Sequence, residues 1–171
     1  YQHEEVGYNY RMSNVIAGVI RGQYPHLDEH IAQKKAVYER YKEGLKGLPI
    51  QMNPFDETKC EPNYWLSAMI LDKDVMCKQV RGETEALYIK EKGKTCPTEI
   101  LETLASLNAE GRPIWKPMHM QPIYREHDFI KAGEEAVDED IFARGLCLPS
   151  DIKMTEEQQD AVIEIVRKCF E

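Results

Sequence analysis

The sequence predicts an α/β (α+β) fold, with a long helical arm at the front and a small three-stranded sheet covered by helices behind it. Three observations carry this. Apolar residues recur at helical spacing from Val15 to Leu45. Three short apolar runs, bounded by proline, glycine or paired polar residues, interrupt the later chain. Helical patterns separate those runs, so the order reads helix, strand, helix, strand, helix, strand, helix, one layer of each kind.

The arm opens at Ser13 or Asn14, whose short oxygen-bearing side chains suit an N-cap, and runs through Val15, Ile16, Val19 and Ile20. Pro25 lacks an amide and disfavours helix in the residue before it, which predicts a kink or restart there with Pro25 near the first position of the second segment. Leu27, Ile31, Tyr38, Tyr41 and Leu45 continue the stripe, and Gly44, Gly47 and Pro49 end it. Residues 49–62 read as a loop. Tyr64 to Leu71 reads as the first strand, and this Trp65 strand and the helix stripes are expected to be core. Residues 75–96 form a charged, solvated excursion around the apolar island Ala86 to Ile89, holding a short helix or a hairpin. Thr98 is the expected cap of a helix carrying Ile100, Leu101, Leu104 and Leu107. Arg112 to Trp115 is the second strand. Pro117 and Pro122 bracket His119 and Gln121 and hold that stretch extended and non-helical. An acidic tract from Glu134 to Asp140 leads into a brief helix stopping at Gly145, and Leu146 to Ser150 is the third strand. Thr155 with Gln158 makes a capping box for a last helix with the buried stripe Val162, Ile165, Val166, Cys169 and Phe170. The chain thus divides into an arm, 1–48, and a small domain, 49–171.

With 171 residues the chain suits one core that buries on the order of 70% of the unfolded surface. A net charge of −8 argues against a general nucleic-acid partner, which needs a basic face. The five cysteines, Cys60, Cys77, Cys96, Cys147 and Cys169, show no framework and no ligand spacing, so reduced thiols in a cytoplasmic protein are expected, without a metal site. No apolar run has the length of a membrane span. The opening on Tyr1, with the most site-like stretch entered within ten residues, is what an excised piece of a longer protein would show.

That stretch, Gly7 to Asn14, has two readings. One is a capped helix entrance with packed tyrosines. The other is an anion grip, because Asn9 and Arg11 are groups that hold phosphate or carboxylate and a helix N-terminus adds partial positive charge. His119 beside Gln121 on a stiff loop is a candidate binding pair, while His3, His26, His30 and His127 have no such setting. Ser150-Asp-Ile-Lys153 matches a spacing of acylating serine enzymes, but the partner motifs are absent.

The motifs together say more. Val6 to Asn14 with Ala17 and Gln23, then Arg112-Pro-Ile-Trp-Lys-Pro-Met-His-Met-Gln-Pro-Ile-Tyr124, Gly145-Leu-Cys-Leu-Pro-Ser150 and the Thr155/Gln158 helix follow in the order of the DegT/DnrJ/EryC1/StrS family of pyridoxal-phosphate-dependent nucleotide-sugar aminotransferases. The chain resembles the C-terminal small domain of these fold type I enzymes, with 75–96 as an insertion. The resemblance implies that the lysine holding pyridoxal 5'-phosphate, and the groups around the ring, lie outside this chain. It implies that no residue here is catalytic alone, that Asn9 reaches the cofactor phosphate across a homodimer interface, and that Arg11 lines the same shared site. It implies, further, that the loop of His119 and Gln121 approaches the substrate. The reaction it implies moves an amino group from an amino-acid donor to a nucleotide-linked keto-sugar, for surface polysaccharide or protein glycosylation. A dehydratase of the same family and a stand-alone anion-binding or dimerisation module are the alternatives.

Overall fold

The computed structural model describes residues 2–56, 58–82 and 85–171. The arm is two helices and a tight joint. Helix α1 covers Asn14–Gln23, a 3-10 turn covers Tyr24–His26 with Pro25 early in it, and helix α2 covers Leu27–Gly44. Ser13 is the N-cap of α1, its Oγ accepting from the Ile16 amide at 3.3 Å. Strands β1 (Ile50–Met52) and β2 (Ser67–Leu71) follow, then the hairpin β3 (Gln79–Arg81) and β4 (Ala86–Tyr88) inside the charged excursion. Helix α3 (Pro97–Ser106), strand β5 (Arg112–Pro113), helix α4 (Val137–Arg144), strand β6 (Gly145–Leu148) and helix α5 (Glu156–Lys168) complete the chain.

The main sheet is antiparallel in the order β1-β2-β6-β5. It has four strands where three were expected. Ile50–Met52 is too short for a periodic pattern, and it becomes a strand only because β2 offers an edge, pairing Ile50 with Leu71 and Met52 with Met69. Alternation along the two central strands sends Met69 and Leu71, and Leu146 and Leu148, to one face, where Tyr41 and Leu45 of α2, Ile100 and Leu104 of α3, and Val162, Ile163 and Val166 of α5 cover them. Side-chain bonds to backbone lock α2 to α5: Gln159 Nε2 donates to Val37 O at 2.6 Å, and Arg167 Nη1 to Gly44 O at 2.9 Å. Asn53, at φ +20°, ties the end of β1 to β2, donating to Leu66 O at 2.8 Å and accepting from the Ala68 amide at 2.6 Å.

Several local expectations are corrected. The first strand starts at Ser67, because Tyr64 takes φ +52° and turns the chain, so Trp65 is 63% exposed and not core. Helix α3 is capped at Cys96 with Pro97 in its first turn, and Thr98 instead donates its hydroxyl to Gln79 Oε1 at 2.9 Å. In α5 the capping box of Thr155 and Gln158 is present, but Ile163 is buried while Ile165, Cys169 and Phe170 are only half-buried. The apolar stripe of α1 is wholly exposed: every residue from 2 to 29 is. Among the described residues no helix is long and apolar enough to cross a membrane.

Candidate functional site

Two segments carry the predicted site residues. The first is the entrance to α1. Asn9 Oδ1 accepts the Arg11 amide at 3.0 Å, an Asx turn that folds the backbone back and leaves Asn9 Nδ2 as a donor without a partner among the described residues. The Arg11 guanidinium likewise has no partner among them, and no acidic residue stands in the first turn of α1. The capping job falls to Ser13, so Asn9 and Arg11 are not used up by it. The capped entrance is present, but its tyrosines are not packed, Tyr8 and Tyr10 being 78% and 90% exposed, and two donors without partners among the described residues stand beside the cap.

The second segment is the loop between β5 and α4. Met118–Met120 and Pro122–Tyr124 are 3-10 turns, so this stretch is tightly wound and not extended as expected, with only Gln121 between them in extended geometry (φ −72°, ψ 139°). Each proline sits at the entry to a turn, where its fixed φ is an advantage. His119 is clamped. Its Nε2 lies 2.9 Å from Glu139 Oε1, its Nδ1 3.4 Å from Asp138 Oδ2, and its ring stacks on Phe129 at 3.6 Å between centroids. The side chain is 16% exposed and lines a surface cavity of about 420 Å³ with Met118, Tyr124 and His127. Gln121 Nε2 donates weakly to Lys116 O at 3.5 Å.

Sequence reasoning missed Asp138, Glu139 and Phe129. Acids at the start of a helix look like dipole partners, and nothing in their spacing ties them to a histidine some twenty residues earlier. Their helix is itself anchored: Arg144 grips Asp140 with two nitrogens, at 2.9 and 2.5 Å, and donates to Leu71 O. A Cβ on Gly145 would lie 2.6 Å from Ile141 O and from Ile114 Cγ1, so α4 passes directly into β6 where a larger residue has no room. The hydrogen bonds from Arg144, and secondarily the nearby Lys73, hold the Asp140 carboxyl below its usual range. A depressed carboxylate stabilises the fold above the unfolded pKa and loses that contribution as pH falls through the folded one. Asp140→Asn is therefore expected to lower stability at neutral pH by about 1 kcal/mol or less. It should also flatten the pH dependence of the melting temperature below about pH 4.

No hydrogen bond, ion pair or ring contact joins Asn9 or Arg11 to His119 or Gln121 among the described residues. Ser150 of the serine–lysine spacing is committed to backbone, accepting from the Ser67 amide at 3.0 Å and donating to Leu148 O at 2.8 Å.

The model of the DegT/DnrJ/EryC1/StrS aminotransferase family matches residues 1–167. The chain belongs to this family. Among DegT/DnrJ/EryC1/StrS relatives, EpsN of Bacillus subtilis (strain 168), provisionally named a pyridoxal phosphate-dependent aminotransferase, is 36% identical over 172 residues, covering 99% of this chain and 39% of its own. A GDP-perosamine synthase of Escherichia coli O157:H7 is 26% identical over 170 residues, covering 99% and 40%. The crystal structure of a DegT DnrJ EryC1 StrS aminotransferase from Brucella abortus superposes with a TM-score of 0.73 at 18% identity, covering 99% of this chain and 39% of that one, and shows the shared fold. The chain thus spans about two fifths of the length of the relatives it matches.

Proposed function

We propose that this chain is the C-terminal part of a pyridoxal-phosphate-dependent aminotransferase that moves an amino group from an amino acid to the keto carbon of a nucleotide-linked sugar. In this reading residues 1–48 form the linking arm and 49–171 the small domain, and the partner subunit of a homodimer completes the site. The observation that carries it is the pair of unspent donors, Asn9 Nδ2 and the Arg11 guanidinium, held on one Asx turn in a chain of this family.

The pair fits part of the cofactor. A phosphate asks for hydrogen-bond donors at a fixed point with no acid beside them, and the entrance to α1 meets that description. When bound, pyridoxal phosphate supplies the electron sink that makes transfer of an amino group feasible. Asn9 holds the phosphate through Nδ2. Arg11 presents its fork to an anionic group of the substrate, for which a planar, bidentate donor is well matched. Gln121, whose Oε1 has no partner among the described residues, accepts from a sugar hydroxyl. His119 has both nitrogens facing carboxylates and acts on the substrate by fixing the loop that carries Gln121.

The test is an assay of the full-length protein with pyridoxal phosphate, glutamate and a nucleotide-linked 4-keto-6-deoxy hexose. The expected result is amino sugar and 2-oxoglutarate in equal amounts, with the same sugar free of its nucleotide left unchanged. Loss of water from the sugar without gain of an amine would replace this reading with a dehydratase.

A further inference from the structure

At the neck of the β3–β4 excursion the chain runs beside itself. Thr95 N donates to Val75 O at 2.9 Å, Cys77 N donates to Thr95 O at 2.9 Å, and Met76 and Thr95 form a parallel bridge between them. One residue further along each partner stand Cys77 and Cys96, which the register places on the same side, opposite to Met76 and Thr95. They are 4% and 0% exposed, so the two buried thiols share one side of this short bridge. Neighbouring strands run about 4.8 Å apart, inside the span of roughly 4.4–6.8 Å between Cα atoms that a disulfide needs. Both backbones are already fixed there, Cys77 by its ladder bond and Cys96 as the N-cap residue of α3.

We propose that Cys77 and Cys96 are a dithiol pair that closes to a disulfide across the neck of the excursion when the protein meets a low-molecular-weight disulfide. This holds independently of the enzymatic reading. The reaction balances as two exchanges. One cysteine, as thiolate, attacks the reagent RS–SR, forming a Cys–S–SR bond and releasing RS⁻, which takes up a proton. The second cysteine, also deprotonated, attacks the cysteine sulfur of that mixed disulfide and releases the other RS⁻. The protein loses two protons and two electrons, and the reagent becomes two RSH. Burial, and secondarily the neighbouring Cys96, pushes the Cys77 thiol up to about 12, so slow reaction of the closed neck is expected. The competitor is Cys169, half-buried at the C-cap of α5, whose thiol is also influenced by Cys96.

The experiment oxidises the full-length protein with glutathione disulfide and maps crosslinked peptides without reduction. The expected product links Cys77 to Cys96, and it raises the melting temperature of the transition containing this segment by on the order of 5–10 °C. The rise should be reversed by dithiothreitol, absent in C77S and in C96S, and kept in a variant carrying C60S, C147A and C169S. Should C77S or C96S fail to fold, the peptide map of the unaltered protein decides alone. A Cys96–Cys169 link, glutathione adducts that never resolve, or a Cys77–Cys96 link that lowers the melting temperature would each overturn the proposal.

Discussion

Replacing Tyr41 with alanine should destabilise the small domain by about 3–5 kcal/mol, measured by urea unfolding. Tyr41 is fully buried in the cluster that joins α2, α3 and α5 to the sheet, and its hydroxyl donates to Pro149 O at 2.8 Å. Removing the ring opens a cavity between elements that cannot close on it, because both are held by backbone bonds from Gln159 and Arg167. Tyr41→Phe keeps the packing and leaves one acceptor unpaired, so about 1 kcal/mol is expected. The two variants separate ring from hydroxyl. Burial also raises the Tyr41 pKa. A group whose folded pKa is raised stabilises the fold below the unfolded value and loses that contribution as pH climbs past it, here above about pH 10. Tyr41→Phe should therefore show a shallower loss of stability on the alkaline side than the unaltered protein.

Changes at the α1 entrance should do the reverse, sparing stability and removing function. Asn9 and Arg11 are exposed, and apart from the Asx turn no hydrogen bond or ion pair among the described residues uses their side chains. Substitution by alanine is expected to shift unfolding by less than about 0.5 kcal/mol. In the full-length protein Asn9→Ala should raise the dissociation constant of pyridoxal phosphate by about 10- to 100-fold, the worth of a hydrogen bond to a charged group. Arg11→Ala should act mainly on KM for the nucleotide sugar, since in the proposed arrangement it touches substrate and not cofactor. A fall in stability equal to the fall in activity would place both residues in the scaffold.

Sequence reading worked where one residue's own chemistry decides the local structure. Ser13 and the Thr155/Gln158 box cap their helices because a hydroxyl at that position satisfies amides that have no other partner. Gly145 ends α4 for lack of space, and Pro25 places the joint in the arm. It failed where a distant partner decides. β1 exists through its pairing with β2, Thr98 gives up its capping role for Gln79, and the clamp on His119 comes from another helix. The α1 stripe is the instructive case. Its period correctly marked a helix, but period alone does not say what covers the apolar side; here Val15, Ile16, Val19 and Ile20 are 78%, 53%, 62% and 49% exposed. Tyr8 and Tyr10 are 78% and 90% exposed, so the apolar surface continues into the candidate site itself. In the proposed arrangement this uncovered patch and the donors beside it form one half of a site shared between subunits.

Mixed dimers test that claim most directly. One full-length variant carries Asn9→Ala with Arg11→Ala, the other lacks the cofactor-holding lysine, and each alone is expected to be close to inactive. If Asn9 and Arg11 serve the neighbouring subunit, a two-fold heterodimer contains one site that has both the lysine and the anion grip. An equal mixture then recovers about a quarter of the unaltered activity, because half of the dimers are mixed and each holds one intact site. If the grip serves its own subunit, every site in the mixture is broken, and no recovery above the separate variants would contradict the account.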